Sequence, residues 1–252
     1  MSDGSGRSRV AVFRPDDERI EAAVELLREL GVDPVPDPML EVEPTGSVPA
    51  DAPLVVLTSV TGVELASEAG WEPGAADLAA IGPATAAAAR EAGWAVDVVP
   101  DEYTSAGLVA ALEGRVTGER VVVARSDHGS DVLLDGLREA GAEVTETVLY
   151  RLTRPAGAGD SAELAAAGDL DAVAFTSSLT VENFLDAAAD RGVEGAARAG
   201  LADAVVGAIG PPTAETAADS GVEVDVVPDE ASFEALAAAV VDALDAEALR
   251  TD

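Results

Sequence analysis

Four short segments of this sequence combine Ser, Thr and Gly at points where an apolar run gives way to a helical pattern. The free backbone N–H groups and the dipole at a helix start attract anions, and neighbouring hydroxyls add further donors. We therefore predict anion-binding sites at these points. The alternative is ordinary N-capping, in which the hydroxyls only satisfy the helix itself. The candidate binding residues are Thr58, Ser59, Gly82, Thr85, Thr176, Ser177, Ser178, Gly210 and Thr213.

Two arginines could add charge to these sites. Arg14 and Arg125 each follow a similar apolar run, and a guanidinium can clamp a carboxylate through two parallel hydrogen bonds. The alternative for each is a surface ion pair with one of the many acids. His128 could contact a ligand or donate a proton, but its Ser- and Gly-rich surroundings are typical of a polar loop.

The residue types that are missing exclude several chemistries. The chain has no Cys, one His and no Lys, since all fifteen basic residues are Arg. Thiolate nucleophiles, Schiff bases, a P-loop lysine and multi-histidine zinc sites are therefore excluded. We expect neither a cofactor nor a bound metal.

The charge balance of the chain indicates a cell with a high salt concentration. With 48 acidic residues the formal net charge is −33, and the acids are spread along the chain. Such a surface repels itself unless concentrated salt screens it, which predicts a salt-rich, halophilic cytoplasm. Nucleic-acid binding is not expected, because it needs clustered basic residues. The chain has no apolar run of about 18 residues and starts without an apolar signal segment, so we expect a cytoplasmic protein that does not enter a membrane.

The chain contains a degenerate internal repeat, which defines the elements that position these residues. Residues 54–59 resemble 172–177, residues 80–85 resemble 208–213, and Val96 to Glu102 recurs as Val224 to Glu230. Short apolar runs alternate with helical patterns, which predicts parallel α/β sheets. Pro83 and Pro211 suit the first helical turn, Gly93 and Gly221 suit helix ends, and Thr61 with Glu64 could form a capping box. We expect frayed ends before Arg9 and after Asp245.

Two short extended segments occupy equivalent positions in the repeats. They are Met39 to Val42 and Val148 to Leu152, and both are followed by Pro within a few residues. The repeat alone would put a domain boundary near Gly118. Alternatively, the chain crosses between two lobes at these segments, which pair as a two-stranded bridge.

Several motifs together resemble the uroporphyrinogen-III synthase family over nearly the whole chain, from Val10 to Leu244. They are Arg14-Pro15, the strand ends Leu57 to Val60 and Phe175 to Ser178, the turn Ile209 to Thr213, and Val226 to Glu230. The resemblance implies two flavodoxin-like lobes joined by a two-stranded hinge ladder near 39–43 and 149–153. One lobe would comprise 1–38 and 155–252, and the other 39–154.

The resemblance also implies an activity. The substrate would be a linear tetrapyrrole with eight carboxylates, hydroxymethylbilane, which loses water and closes with its last pyrrole ring inverted. The protein would be a cofactor-independent lyase of porphyrin, haem and cobalamin biosynthesis. It would act as a monomer and receive substrate transiently from hydroxymethylbilane synthase. Tyr150 matches a family tyrosine that faces the cleft and could donate a hydrogen bond to the departing hydroxyl; alternatively, it packs the bridge.

A different class of protein also fits these features. A non-enzymatic, two-lobed binding protein for small anions would have the same α/β lobes, hinge and anion-binding helix starts. The family motifs favour the enzyme.

Overall fold

The computed structural model describes residues 7–15 and 18–251. The chain divides into two compact units. The first unit comprises Met1–Glu41 and Thr153–Asp252, and the second comprises Val42–Leu152. Each unit therefore contains the start of one sequence repeat and the end of the other.

Both units are built from strands that alternate with helices. Within the described ranges the strands are β1 (Arg9–Val12), β2 (Asp33–Pro36), β3 (Glu41–Pro44), β4 (Leu54–Leu57), β5 (Asp77–Ala80), β6 (Arg120–Ser126), β7 (Glu143–Thr153), β8 (Ala172–Phe175) and β9 (Val205–Ala208). The helices there are α1 (Glu18–Glu29), α2 (Val60–Glu68), α3 (Pro83–Glu91), α4 (Ser105–Leu112), α5 (Asp131–Glu139), α6 (Asp160–Ala167), α7 (Ser178–Asp190), α8 (Glu194–Ala202), α9 (Pro211–Asp219) and α10 (Phe233–Thr251).

The sheet of the first unit has the strand order β2-β1-β8-β9, and its strand pairs are parallel. Strands β8 and β9 are buried along their whole length, as expected when helices cover both faces of a parallel sheet. The rings of Phe13, Phe175 and Phe184 pack together with centroids 5.0 to 5.7 Å apart, Phe13 stacked on Phe175 and Phe184 at an angle to both. The strand order reverses between β1 and β8, which is the switch point of a flavodoxin-like sheet.

The sheet of the second unit has the order β3-β7-β6-β4-β5, in which β7, β6, β4 and β5 pair in parallel. Its switch point lies between β6 and β4. The α/β class and the largely parallel sheets predicted from the sequence are confirmed.

The last predicted strand of each repeat is reduced to a single bridge. Val98 bridges Ala79, and Val226 bridges Gly207. In both repeats an Asp side chain replaces one of the backbone acceptors that a full strand would offer. The N–H of Leu78 donates to the carboxylate of Asp97, and the N–H of Val206 donates to that of Asp225.

Helix boundaries follow the local signals with two exceptions. Pro83 and Pro211 begin α3 and α9, and Gly93 and Gly221 follow their ends with positive φ. The capping box predicted at Thr61 and Glu64 is wrong, because Ser59 caps α2 two residues earlier. The fraying predicted after Asp245 is also wrong, because α10 continues to Thr251. The fraying predicted before Arg9 concerns mainly residues 1–6, which lie outside the described residues.

The second crossing segment is not a separate strand. It is the end of β7, which runs for 11 residues without a break, while the first crossing contributes β3. Strand β3 neighbours β7 in the sheet, and the N–H of Thr45 donates to the Leu149 carbonyl at 3.0 Å.

A buried carboxylate anchors the first unit beside these segments. Asp37 is 4% exposed and accepts hydrogen bonds from the N–H groups of Gly159 and Ser161 and from the Ser161 hydroxyl. These N–H groups belong to the start of α6, whose cap residue Gly159 offers no side chain of its own. Asp37 therefore serves as the cap of a helix that lies 122 positions away.

Candidate active site

The candidate site lies at the carboxyl edge of the second unit's sheet, beside its switch point. Thr58 and Ser59 follow β4, Arg125 and Ser126 end β6, and Tyr150 lies on β7. These residues line one cavity of about 180 Å³. The other residues of its lining are Ile81, Ser105, Gly129, Ser130 and Leu133. The structure thus brings four of the predicted site residues together: Thr58, Ser59, Arg125 and Tyr150.

Ser59 and Tyr150 form a hydrogen-bonded pair of hydroxyls. The phenol of Tyr150 donates to Oγ of Ser59 at 3.0 Å, and the same Oγ accepts the N–H of Gly62 at 3.0 Å as the cap of α2. Tyr150 is 7% exposed, whereas Ser59 is half-buried. Ser59 therefore both caps α2 and lines the cavity.

A β-bulge brings Tyr150 to this place. In the pairing of β6 with β7, Arg125 faces Val148 but the next residue, Ser126, faces Tyr150. Leu149 is the extra residue on β7. Bulges of this kind redirect side chains and occur often beside active sites.

Arg125 is bound by the protein itself. Its side chain is 5% exposed; Nε donates to Glu146 at 2.6 Å, Nη1 to the Ser130 carbonyl at 2.6 Å, and Nη2 to Asp131 at 3.4 Å. Gly129 makes room for it, because a Cβ there would lie 2.5 Å from Cδ of Arg125. The guanidinium is buried, whereas the side chains of Glu146 and Asp131 are 33% and 84% exposed. Its donors are already bound within the protein, which favours shaping of the cavity wall, and the role of Arg125 as a carboxylate clamp stays a prediction.

Asp127 fastens the loop after β6 to β7. Its carboxylate accepts the N–H of Leu152 at 3.0 Å and lies 2.8 Å from Nδ1 of His128, and its own N–H donates to the Tyr150 carbonyl. Burial opposes ionisation of this carboxyl, but the hydrogen bonds from His128 and Leu152 outweigh burial and lower the pKa of Asp127. Asp127 thus hydrogen-bonds to the backbone on both sides of Arg151, at Tyr150 and at Leu152.

Gly82 and Thr85 occupy the start of the next helix in the same unit. Gly82 precedes α3 in an extended conformation, and a Cβ there would lie 3.4 Å from the Cβ of Tyr103. Thr85 is 5% exposed in the first turn. Their contribution to binding stays a prediction.

The hydroxyls of the equivalent residues in the first unit each bind a partner within that unit. Thr176 donates to the Phe13 carbonyl at 2.6 Å and so joins the ends of β8 and β1. Ser177 caps α7 in a capping box with Thr180. The Ser178 hydroxyl donates to the Pro212 carbonyl, next to Gly210 and Thr213 at the start of α9.

Arg14 packs with its charged end over an aromatic ring of the same unit. Its Cζ lies 5.3 Å from the ring centroid of Phe233. A cation over a ring face is stabilised by the ring quadrupole.

Sequence reasoning missed several residues of the candidate site. Ser105, Ser126 and Ser130 line the cavity, and Glu146 is the partner of Arg125. Ser126 ends β6 and Ser130 caps α5, so their position at a strand end and a helix start is a usable sequence signal. No local pattern marks Glu146 among so many acids. Among the described residues, no group of three or more His, Cys, Asp or Glu side chains could hold a metal ion.

No helix within the described ranges has both the length and the apolar character needed to cross a membrane.

The chain is similar to known proteins over most of its length. The family model described as "Uroporphyrinogen-III synthase HemD" matches residues 21–238. A "Putative uroporphyrinogen-III synthase" of Methanothermobacter thermautotrophicus is 39% identical over 199 residues, 72% of this chain and 78% of that protein. The uroporphyrinogen-III synthase of Synechococcus elongatus is 28% identical over 85% of this chain and 87% of its own.

Solved structures share the fold. A mutant uroporphyrinogen III synthase of Thermus thermophilus superposes with a TM-score of 0.66 at 24% identity, covering 97% of this chain and 100% of that one. The enzyme of Helicobacter pylori gives 0.59 at 15% identity, with the same coverage. At these identities the likeness concerns the fold.

Proposed function

The chain belongs to the uroporphyrinogen-III synthase family, and we propose that it converts hydroxymethylbilane to uroporphyrinogen III as a cofactor-independent lyase. The observation that carries the proposal is the cavity at the second unit's switch point, where hydroxyl donors surround the Ser59–Tyr150 pair. Ligands of open α/β sheets bind at such a place. The alternative, a non-enzymatic anion-binding protein, is not favoured by the family match.

The reaction requires control of the substrate's conformation more than it requires covalent catalysis. The hydroxyl leaves its CH₂ with the bonding electrons and departs as water with one proton, and loss of the pyrrole N–H proton leaves a neutral azafulvene. The substituted carbon of the last pyrrole attacks this CH₂; the spiro intermediate fragments and recloses with that ring inverted. Pyrroles are electron-rich, so the protein's task is to hold one conformer and stabilise developing charge.

Short-range donors must bind the substrate, because long-range attraction is unfavourable. A chain of net charge −33 repels a ligand with eight carboxylates. We propose that hydroxyls and the backbone N–H groups at the starts of α2 and α3 bind some of these carboxylates. The strand-end residues of the first unit would bind others, including Thr176, Ser177, Ser178, Gly210 and Thr213.

We extend the proposal to the setting of the enzyme. It would act as a monomer of two lobes connected near 39–43 and 149–153, and accept substrate transiently from hydroxymethylbilane synthase. The acid-rich, lysine-free composition supports a salt-rich cytoplasm as its location.

A coupled assay tests the proposed activity. Porphobilinogen and a deaminase generate the linear tetrapyrrole in molar potassium chloride, and the oxidised products are separated by isomer. We expect the III isomer to accumulate in proportion to added protein. Accumulation of the I isomer alone, which forms without guidance, would refute the activity.

A further inference from the structure

We infer that Ser59 is the residue of the pair that donates a hydrogen bond to the substrate, and that Tyr150 acts through Ser59 as a positioning residue. The inference rests on the proposed function and gives to Ser59 the donor role that the family resemblance suggests for Tyr150. It follows from the hydrogen-bonding capacity of one oxygen atom.

Oγ of Ser59 has no acceptor capacity left. A hydroxyl oxygen carries two lone pairs and one hydrogen. One lone pair accepts the N–H of Gly62 at 3.0 Å, and the other accepts the phenol of Tyr150 at 3.0 Å. The Ser59 hydroxyl can therefore act towards a ligand only as a donor.

The direction of the bond between the two hydroxyls follows from their chemistry and exposure. A phenol is a stronger donor and a weaker acceptor than an aliphatic alcohol, so the phenol donates and the serine accepts. Tyr150 is 7% exposed, whereas Ser59 is half-buried on the cavity wall. The proton of Tyr150 is thus directed at Ser59, and the hydroxyl that a ligand meets is that of Ser59.

Two accepted bonds also strengthen the donor. Chains of hydrogen bonds polarise one another, and the positive end of the α2 dipole adds to the effect. Such a donor suits an oxygen that carries negative charge, either a substrate carboxylate or the departing hydroxyl. Ser59 keeps its hydrogen throughout, so no covalent step is assigned to it.

Four variants test the assignment: Ser59→Ala, Tyr150→Phe, the double variant, and Ser59→Thr. Wild type must first produce the III isomer, which tests the proposed function separately. We expect Ser59→Ala to lower kcat/KM by about tenfold or more and Tyr150→Phe by roughly threefold to fivefold. In the Ser59→Ala background, Tyr150→Phe should change kcat/KM by less than about twofold, because the Ser59 hydroxyl through which Tyr150 acts is absent. Ser59→Thr keeps the hydroxyl and should retain most activity.

A matched control separates this role from simple capping. Thr104 accepts the N–H of Gly107 at 3.0 Å, the same cap geometry as Ser59 with Gly62, and it is exposed. Thr104→Ala should therefore lose a similar cap and keep kcat/KM within about twofold. A fall in kcat alone would identify the departing hydroxyl as the oxygen bound by Ser59, and a rise in KM would identify a carboxylate.

Three results would overturn the inference. The first is a Tyr150→Phe effect as large in the Ser59→Ala background as in wild type, which would make Tyr150 an independent donor. The second is a Thr104→Ala loss equal to that of Ser59→Ala. The third is a Ser59→Thr variant as inactive as Ser59→Ala.

Discussion

The hydroxyls of Tyr150 and Ser59 meet at 3.0 Å across 91 positions of sequence. Tyr150 lies on β7 and Ser59 follows β4, so strand β6 lies between their strands in the sheet. The contact depends on the bulge at Arg125 and Ser126. It also depends on Gly62, which leaves the face of α2 open beside the pair.

A Gly62→Ala variant tests that dependence. The added Cβ would lie 3.0 Å from Oγ of Ser59 and 3.2 Å from Cδ1 of Leu149. We expect kcat/KM to fall several-fold because the pair is displaced by a few tenths of an ångström. The free energy of unfolding should change by less than about 1 kcal/mol, since the helix-propensity gain of Ala offsets the overlap.

The control for this variant is Gly195→Ala in α8. No heavy atom lies within 4 Å of a Cβ built at Gly195. It should stabilise the protein by about 0.5–1 kcal/mol and leave kcat/KM unchanged. Wild-type activity in Gly62→Ala would contradict the packing argument.

Stability should depend strongly on salt. The Debye length is about 10 Å at 0.1 M salt and about 3 Å at 1 M, so the repulsion among 48 acids is screened only in concentrated salt. We expect the thermal midpoint to fall steeply below roughly 0.5 M potassium chloride, with loss of activity. An unchanged midpoint between dilute buffer and molar salt would contradict the halophilic interpretation.

The sequence predicts the fold well because its signals are local and duplicated. Apolar runs, the Pro83 and Pro211 helix starts, and the Gly93 and Gly221 helix ends each act within a few residues. The bridges at Val98 and Val226 escaped prediction because the Asp side chains that replace the ladder bonds are indistinguishable from other surface acids.

The candidate site is only partly predictable for a similar reason. Ser59 follows β4 and Arg125 lies at the end of β6, and a parallel sheet brings strand ends to one edge. The pairing of Tyr150 with Ser59 depends on a one-residue bulge that no pattern in β7 announces. Glu146 as the partner of Arg125 requires choosing one carboxylate from 48 acids.

Arg125→Lys distinguishes support of the cavity wall from a substrate clamp. Lysine cannot reach Glu146, the Ser130 carbonyl and Asp131 together, so the buried cation at this position loses hydrogen bonds. We expect the free energy of unfolding to fall by about 2 kcal/mol. Denaturant unfolding of Arg138→Lys is the control, because Arg138 and Asp135 form an exposed pair worth less than about 1 kcal/mol. A rise in KM with unchanged stability would instead support the clamp.

The carboxyl of Asp127 should contribute to stability in a pH-dependent way. Its pKa is lowered below the ordinary 3.8 in the folded protein by hydrogen bonds from His128 and Leu152, which outweigh the opposing effect of burial. A depressed folded pKa stabilises the protein above the unfolded pKa, and this stabilisation is lost as the pH falls through the folded value. Asp127→Asn should therefore be less stable than wild type at neutral pH. The difference should shrink on acidification below about pH 4 and vanish once Asp127 is protonated in both states.

Unfolding by denaturant in molar salt at several pH values measures this difference, with Asp186→Asn on the exposed face of α7 as the control. The difference in stability between Asp127→Asn and wild type could instead be independent of pH. That result would mean that packing and neutral hydrogen bonds hold the loop, and not the charge of Asp127.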